Sequence, residues 1–329
     1  MTISHALVKQ DPWASAVALQ LNCNRLKSDR NSGNPVLILR AYLFLIITAM
    51  SWGGNAVAGK LAVGHISPMI LTSVRWAMAF AILLTFALPQ VRRDIKTIRK
   101  HLPLLFCYGM FGFTFFNILL YSALEHTTAI NVAIEQAGMP MVIFLANFIL
   151  FRIKVTPAQI IGFALTMIGV GITASSGSLA RLIALQLNQG DALMLLAVLF
   201  YGGYTVALRY KPVLHWQSMI TVMAASAFIT SLPFAAFEIT RGTAILPDTT
   251  GWLVAAFTAV FPSLVAQVLY IKGNEIIGSN RAGIFINLVP IFGTLLSVMI
   301  LGETLHLYHV VALALVLGGI TLSERRRRN

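Results

Sequence analysis

SWGGNAVAGK at residues 51–60 is matched 149 residues later by FYGGYTVALR at residues 200–209. The pair Gly53-Gly54 returns as Gly202-Gly203, Val57-Ala58 as Val206-Ala207, and Lys60 as Arg209. Further along, Met69-Ile70 returns as Met219-Ile220, and Pro140, Leu145, Leu165 and Gly169 match Pro290, Leu295, Leu315 and Gly319 at an offset of 150. Two near-equal offsets held along most of each half indicate an internal duplication.

The duplicated unit is a membrane unit. Of 329 residues, 57% are hydrophobic and 11% charged, with a mean hydropathy of +0.80. A soluble domain carries about 25% charged residues, so lipid must solvate most of this chain. Ten stretches approach the ~20 apolar residues that a membrane helix needs: 37–59, 68–89, 102–124, 127–150, 157–175, 190–208, 216–238, 251–271, 281–301 and 306–323. Pro68, Pro103 and Pro157 read as helix starts, where proline forfeits no intrahelical bond. Pro89, Pro212 and Pro247-Asp248 mark further junctions. The fold class is therefore an all-α membrane protein of ten transmembrane helices. Residues 37–175 and 190–323 form the repeats, and 1–36 and 324–329 are polar and basic tails. Five is odd, so the second copy starts on the other side of the bilayer and is inverted. In such folds the substrate site lies near the midplane between the halves.

Orientation follows from loop charge. With the N-terminus cytoplasmic, 20 of the 24 Lys and Arg fall on the cytoplasmic side and three (Lys60, Arg181 and Arg241) on the other, with Arg75 inside a span. Both termini are expected in the cytoplasm. The net charge of +13 sits in short loops and tails, not on a folded basic face, so nucleic acid is not an expected partner. Cys23 and Cys107 form no metal or disulfide pattern.

Ten spans with cytoplasmic ends, SWGGN at Ser51–Asn55, Arg75-Trp76 in the second span, Ala-Leu-x-x-Thr-x-Ala at Ala123–Ala129, Pro140, Pro290 and Leu301-Gly302-Glu303 together resemble the EamA family of the drug/metabolite transporter superfamily. The resemblance spans about residues 38–323. It implies export of amino acids or other small metabolites, often driven by the proton gradient. One departure is that Glu303 has Ile153 as its first-half counterpart.

Ionisable groups within spans are costly and are functional candidates. Glu135 lies about eight residues into the fourth span, roughly 12 Å deep at 1.5 Å per residue, and a carboxyl there can carry a coupling proton. The alternative is a structural carboxyl hydrogen-bonded to a neighbouring helix or paired with Arg75. Arg75, in the second span, can hold a substrate carboxylate bidentately, snorkel to the interface, or cap broken-helix carbonyls. The counterparts of Glu135 and Arg75 are Phe285 and Ala225. Trp52 and Asn55, with their counterparts Tyr201 and Tyr204, sit beside glycines that allow close helix approach and are read as cavity-lining. Gln136, Gln267 and Asn287 are the preferred pathway residues among the mid-span polar groups. Gly162 and Gly169, seven apart, read as helix packing.

No nucleophile elbow, HExxH, P-loop or dinucleotide fingerprint occurs in a suitable context, so no enzyme activity and no cofactor is expected. His306 and His309 lack a nearby carboxylate in sequence, and no metal is expected. The reading is a proton-coupled exporter of a small metabolite, such as an amino acid, working by alternating access in the inner membrane. A cation or multidrug exporter of the same superfamily is the rival. A channel or a membrane-embedded transferase represents the other classes. Lipid, substrate and protons are the expected partners, and oligomeric state is left open.

Overall fold

The structure, a computed structural model, describes residues 35–152, 156–178, 180 and 188–325. The readings for the tails at 1–34 and 326–329, for Ile153 and Lys154, and for Arg181 fall outside the described residues. Helices α1 (Pro35–Ala62), α2 (Pro68–Lys100), α3 (Leu102–Leu124), α4 (Ala129–Phe151) and α5 (Pro157–Ala174) form the first half. Helices α6 (Gln189–Ala207), α7 (Trp216–Thr240), α8 (Thr249–Ile277), α9 (residues 279–301) and α10 (Leu307–Arg325) form the second. Among the described residues, nine helices are long and apolar enough to cross a membrane, and α10 carries a shorter apolar stretch, Leu307–Ser323.

The helix starts follow local chemistry. Pro68 and Pro157 open α2 and α5, where their missing N–H has no partner to lose. Thr156 and Gln159 close a reciprocal capping box at α5. Asn188 and Asp248 accept backbone N–H groups at the starts of α6 and α8. A first-turn donor left unpaired in lipid would carry a heavy desolvation penalty.

Close contacts repeat across the two halves with the partners exchanged. On α5, a Cβ at Gly162 would strike the Gly319 carbonyl of α10, and one at Gly169 would strike the Ala312 carbonyl. The repeat pairs Gly162 with Ala312 and Gly169 with Gly319 at the offset of 150, so each contact maps onto the other. Gly53 of α1 packs on Val289 and Gly293 of α9, while its counterpart Gly202 of α6 packs on Val142 and Ile143 of α4. A pseudo-two-fold axis relating the halves produces this exchange.

A carboxylate from each helix bonds to the start of the other and holds α2 against α7. At the start of α2, Glu238 of α7 accepts from Ser67 Oγ at 2.6 Å and from the N–H groups of Met69 and Ile70 at 3.2 Å. At the start of α7, Asp94 of α2 accepts from Ser218 Oγ at 2.6 Å.

Two expectations are corrected. Pro89 does not end the second span, because α2 continues to Lys100 with Pro89 inside it. The proline deprives only the Thr85 carbonyl of its bond. The extension is held by the Asp94–Ser218 bond and by Ile98, buried in a cluster with Leu83, Leu105 and Met223. The spans at 127–150 and 281–301 are not continuous helices either. Helix α4 breaks into Ala129–Gln136 and Met139–Phe151, and α9 into Ser279–Ile286 and Val289–Leu296, the latter followed by a wide π-helical turn at Ser297–Leu301. Pro140 and Pro290 offer no N–H to the carbonyls of Gln136 and Ile286. Tight bonds take over: Ala137 and Gly138 donate to Ile134 and Glu135, and Asn287 and Leu288 donate to Ile284 and Phe285.

Candidate functional site: a central cavity

The two helix breaks face one another across a cavity of about 390 Å³ between the halves. Gln136 and Pro140 line it from α4, and Asn287 and Pro290 from α9. Trp52 and Asn55 enter from α1, Arg75 and Trp76 from α2, Tyr201 and Tyr204 from α6, and Gln267 and Tyr270 from α8. All eight residues singled out from sequence as substrate contacts therefore lie on one wall or another of this space.

Paired π-helical turns shape the cavity, at Met110–Phe115 in α3 and Phe261–Val265 in α8. In α8 the cause is visible. Pro262 cannot donate to the Thr258 carbonyl four residues back, so the turn widens and Ser263 Oγ donates to that carbonyl at 2.9 Å. The Pro262 carbonyl accepts from Trp52 Nε1 at 3.2 Å. In α3, Asn117 Nδ2 donates to the Phe113 carbonyl at 2.6 Å.

Arg75 is tied to both turns. It is 4% exposed, which excludes snorkelling. Its Nε donates to Ser263 Oγ at 2.8 Å, and its Nη1 donates to Asn55 Oδ1 at 2.9 Å, to Asn117 Oδ1 at 2.7 Å and to Tyr121 Oη. Its guanidinium lies 5.2 Å from the Trp76 ring, which stacks on Phe113 at 4.5 Å. Nη2 has no protein partner among the described residues. A neutral cage on one side of a guanidinium, with a fork nitrogen left toward a cavity, can bind an anionic oxygen.

Aromatic rings form much of the remaining wall. Tyr201 lies 5.4 Å from Tyr204 and 5.0 Å from Phe116, and Trp52 lies 5.5 Å from Tyr270. Arg75 is the sole charged residue among the described residues of the lining.

Glu135 is elsewhere. It belongs to the same half-helix as Gln136 but is not among the residues lining the cavity. It is 0% exposed, and neither carboxyl oxygen has a hydrogen-bond partner among the described residues. Among the described residues it makes no hydrogen bond to a neighbouring helix, and Arg75 bonds four other side chains. Sequence reasoning missed its neighbour, Asp191 of α6, which is also 0% exposed. Asp191 reads as an ordinary first-turn acid, and nothing in its flanks reveals that α4 packs against it. Asn117 reads as one of many mid-span amides, and its bond to Arg75 has no local signal.

Glu303 has a structural task. Its carboxylate accepts from the N–H groups of Ala129 at 2.8 Å and Ile130 at 3.0 Å, capping α4. Beside it, Lys60 Nζ donates to the carbonyls of Leu124 and Thr127 at 2.7 and 2.8 Å. The α3–α4 junction thus has a cation on its exposed carbonyls and an anion on its exposed N–H groups.

Known proteins match this arrangement over most of its length. The model of the EamA-like transporter family matches residues 39–175 and again 188–324. The uncharacterized transporter YetK of Bacillus subtilis (strain 168) is 25% identical over 289 residues, covering 88% of each chain. YyaM of the same organism is 24% identical, covering 86% of this chain and 92% of its own. The uncharacterized inner membrane transporter YicL of Salmonella typhimurium is 24% identical, covering 88% and 97%. A solved crystal structure shares the fold with a TM-score of 0.60 at 18% identity, covering 88% of this chain and 99% of that one. With one family unit in each five-helix half, the chain belongs to the EamA-like transporter family of the drug/metabolite transporter superfamily, and it is a multi-pass membrane transporter, not an enzyme.

Proposed function

We propose that this transporter exports a small metabolite bearing a carboxylate, such as an amino acid, by alternating access and in exchange for protons. The observation that carries the proposal is the cavity between inverted halves, with Arg75 as its charged group. A cavity of about 390 Å³ falls within the ordinary range for small-molecule sites, roughly 300–1,000 Å³. Arg75 Nη2 supplies the anion contact, the amides of Gln136, Gln267 and Asn287 can pair with amino and carbonyl groups, and Trp52, Tyr201 and Tyr204 pack the apolar part. A carboxylate in the lining would favour a cation, and Glu135 is not among the lining residues. The breaks of α4 and α9 lie beside the same space, as broken helices do in other inverted-repeat carriers.

In this reading the protein lies in the inner membrane with both ends in the cytoplasm, as the loop charges favour. The residue ranges 37–175 and 190–323 are then the two rocking units, and Glu135 is the coupling carboxyl. Counterflow tests the carrier step. Proteoliposomes preloaded with unlabelled amino acids should transiently accumulate labelled ones against their gradient. Passive equilibration without overshoot across a broad metabolite panel would mean a channel.

A further inference from the structure

Outside the cavity, two fully buried carboxyls, Glu135 of α4 and Asp191 of α6, lie on helices that pack together. Asn131 and Glu135 are one turn apart on α4, so they share a face. Asn131 Nδ2 donates to Asp191 Oδ1 at 3.4 Å, so Glu135 lies on the side of α4 that packs on α6. Thr127 Oγ1 also donates to Asp191 Oδ1, at 2.5 Å. Asp191 Oδ2 and both Glu135 oxygens have no partner among the described residues. A carboxylate without donor or counter-ion in an apolar interior is costly enough to take up a cation or a proton.

A polar chain leads outward from this pair. The exposed His306 donates its backbone N–H to His309 Nδ1 at 3.1 Å. Because Nδ1 accepts, neutral His309 carries its proton on Nε2, which donates to Asn131 Oδ1 at 3.1 Å. Asn131 then donates to Thr127 Oγ1 at 3.0 Å. The donors along this chain converge on Asp191 Oδ1 and leave Oδ2 open. No group of three or more metal-ligating side chains occurs among the described residues. The titratable groups around the pair are few. Helix α10 brings Tyr308 and His309, the α9–α10 loop brings Glu303 and His306, the end of α1 brings Lys60, and the α3–α4 junction beside the start of α6 brings Glu125 and His126. Helix α5, which packs on the other side of α4, carries no ionisable residue.

We propose that Glu135 and Asp191 form a two-carboxyl proton site, separate from the substrate cavity and reached from the face that carries His306. One proton is shared by the pair. It leaves Asp191 Oδ2 or a Glu135 oxygen when the pair releases it and returns to the same atoms on uptake. The site's role in coupling rests on the carrier reading above, but its existence does not.

The test needs no substrate. Full-length protein in liposomes is titrated by infrared difference spectroscopy, following the carboxyl C=O band, for wild type, Glu135→Gln, Asp191→Asn and the exposed control Glu275→Gln. Shared protonation predicts that removing either partner moves the titration of the other by about one pH unit or more, while Glu275→Gln leaves it in place. Glutamine and asparagine keep the shape, and the amide introduced by Asp191→Asn can still accept from Thr127, so the variants preserve packing. Should Asp191→Asn fail to fold, Glu135→Gln alone decides, through the shift of the Asp191 band. An Asp191 band indifferent to Glu135→Gln overturns the shared site. Saturable binding of radioactive sodium lost in either variant overturns the assignment to a proton. Either failure leaves the counterflow result untouched, and failed counterflow leaves the titration untouched.

Discussion

In the first half, α2 carries Arg75 and α4 carries Glu135, while the matched positions of the second half carry Ala225 and Phe285. The helix crossings behave in the opposite way. Gly162 on Gly319 and Gly169 on Ala312 are one contact made twice, and so are Gly53 on α9 and Gly202 on α4. Proline breaks α4 and α9 at matched positions, and π-helical turns widen both α3 and α8. The duplication therefore preserves small residues at crossings and breaks beside the cavity, which are the features that would let either half rock against the other. It does not preserve the chemistry. Arg75 lines the cavity, whereas Ala225, Glu135 and Phe285 are not among its lining residues. On the proposed function, backbone symmetry serves motion and side-chain asymmetry serves recognition.

The largest effect is expected at the symmetric crossings. Gly162→Leu and Gly169→Leu each force a side chain against backbone of α10. Each should lower stability by about 1–3 kcal/mol or more, read as thermal unfolding in detergent. Because the two contacts are related by the pseudo-symmetry, the losses should be similar. One variant tolerated at wild-type stability would show that the crossings are not equivalent.

A smaller effect is expected at Glu303, which has no acidic counterpart. Glu303→Gln keeps an acceptor for α4 but removes the charge that suits a helix N-terminus. A loss of about 0.5–1 kcal/mol fits such a site, and Glu303→Leu should cost more. Equal stability of wild type and Glu303→Leu would show that this side chain does not act as a cap.

The smallest effect lies at the start of α8. The Gly251 N–H on Asp248, together with His65 Nδ1 at 2.7 Å, holds the Asp248 carboxyl below its ordinary value of 3.8. A carboxyl depressed in the folded state contributes stability above its unfolded value and loses it as pH falls through the folded one. Asp248→Asn should therefore melt slightly below wild type at neutral pH. The gap should start to narrow as pH falls through the unfolded aspartate value, about 3.9, and close once pH lies below the folded one. A constant gap across that range would contradict the assignment.

Much of the fold was legible because membrane helices are specified residue by residue through apolar length, and because the repeat offset links distant segments. Proline was the ambiguous sign. The same residue opens α2 at Pro68, sits harmlessly inside it at Pro89, and breaks α4 at Pro140. What holds the helix together past Pro89 is tertiary packing, the Asp94–Ser218 bond and buried Ile98, which the sequence around the proline does not reveal. The polar residues around the cavity were legible as a set, since mid-span amides and glycine-flanked aromatics have few other uses. Their partners were not. Arg75 is held by groups 20 to 188 residues away, and Glu135 meets Asp191 only because α4 packs on α6.

The sharpest test falls on Arg75, the asymmetric charge in the symmetric cavity. Proteoliposomes containing wild type and Arg75→Ala are compared in counterflow of labelled amino acids and of their decarboxylated amines, with folding checked by gel filtration. Wild type should exchange at least one amino acid and not its amine. The Arg75→Ala variant should lose that exchange by roughly tenfold or more, as expected for a charged hydrogen bond worth about 1.5–3 kcal/mol. Wild type that prefers the amines, or an Arg75→Ala variant that exchanges amino acids at the wild-type rate, would contradict a carboxylate held by Arg75.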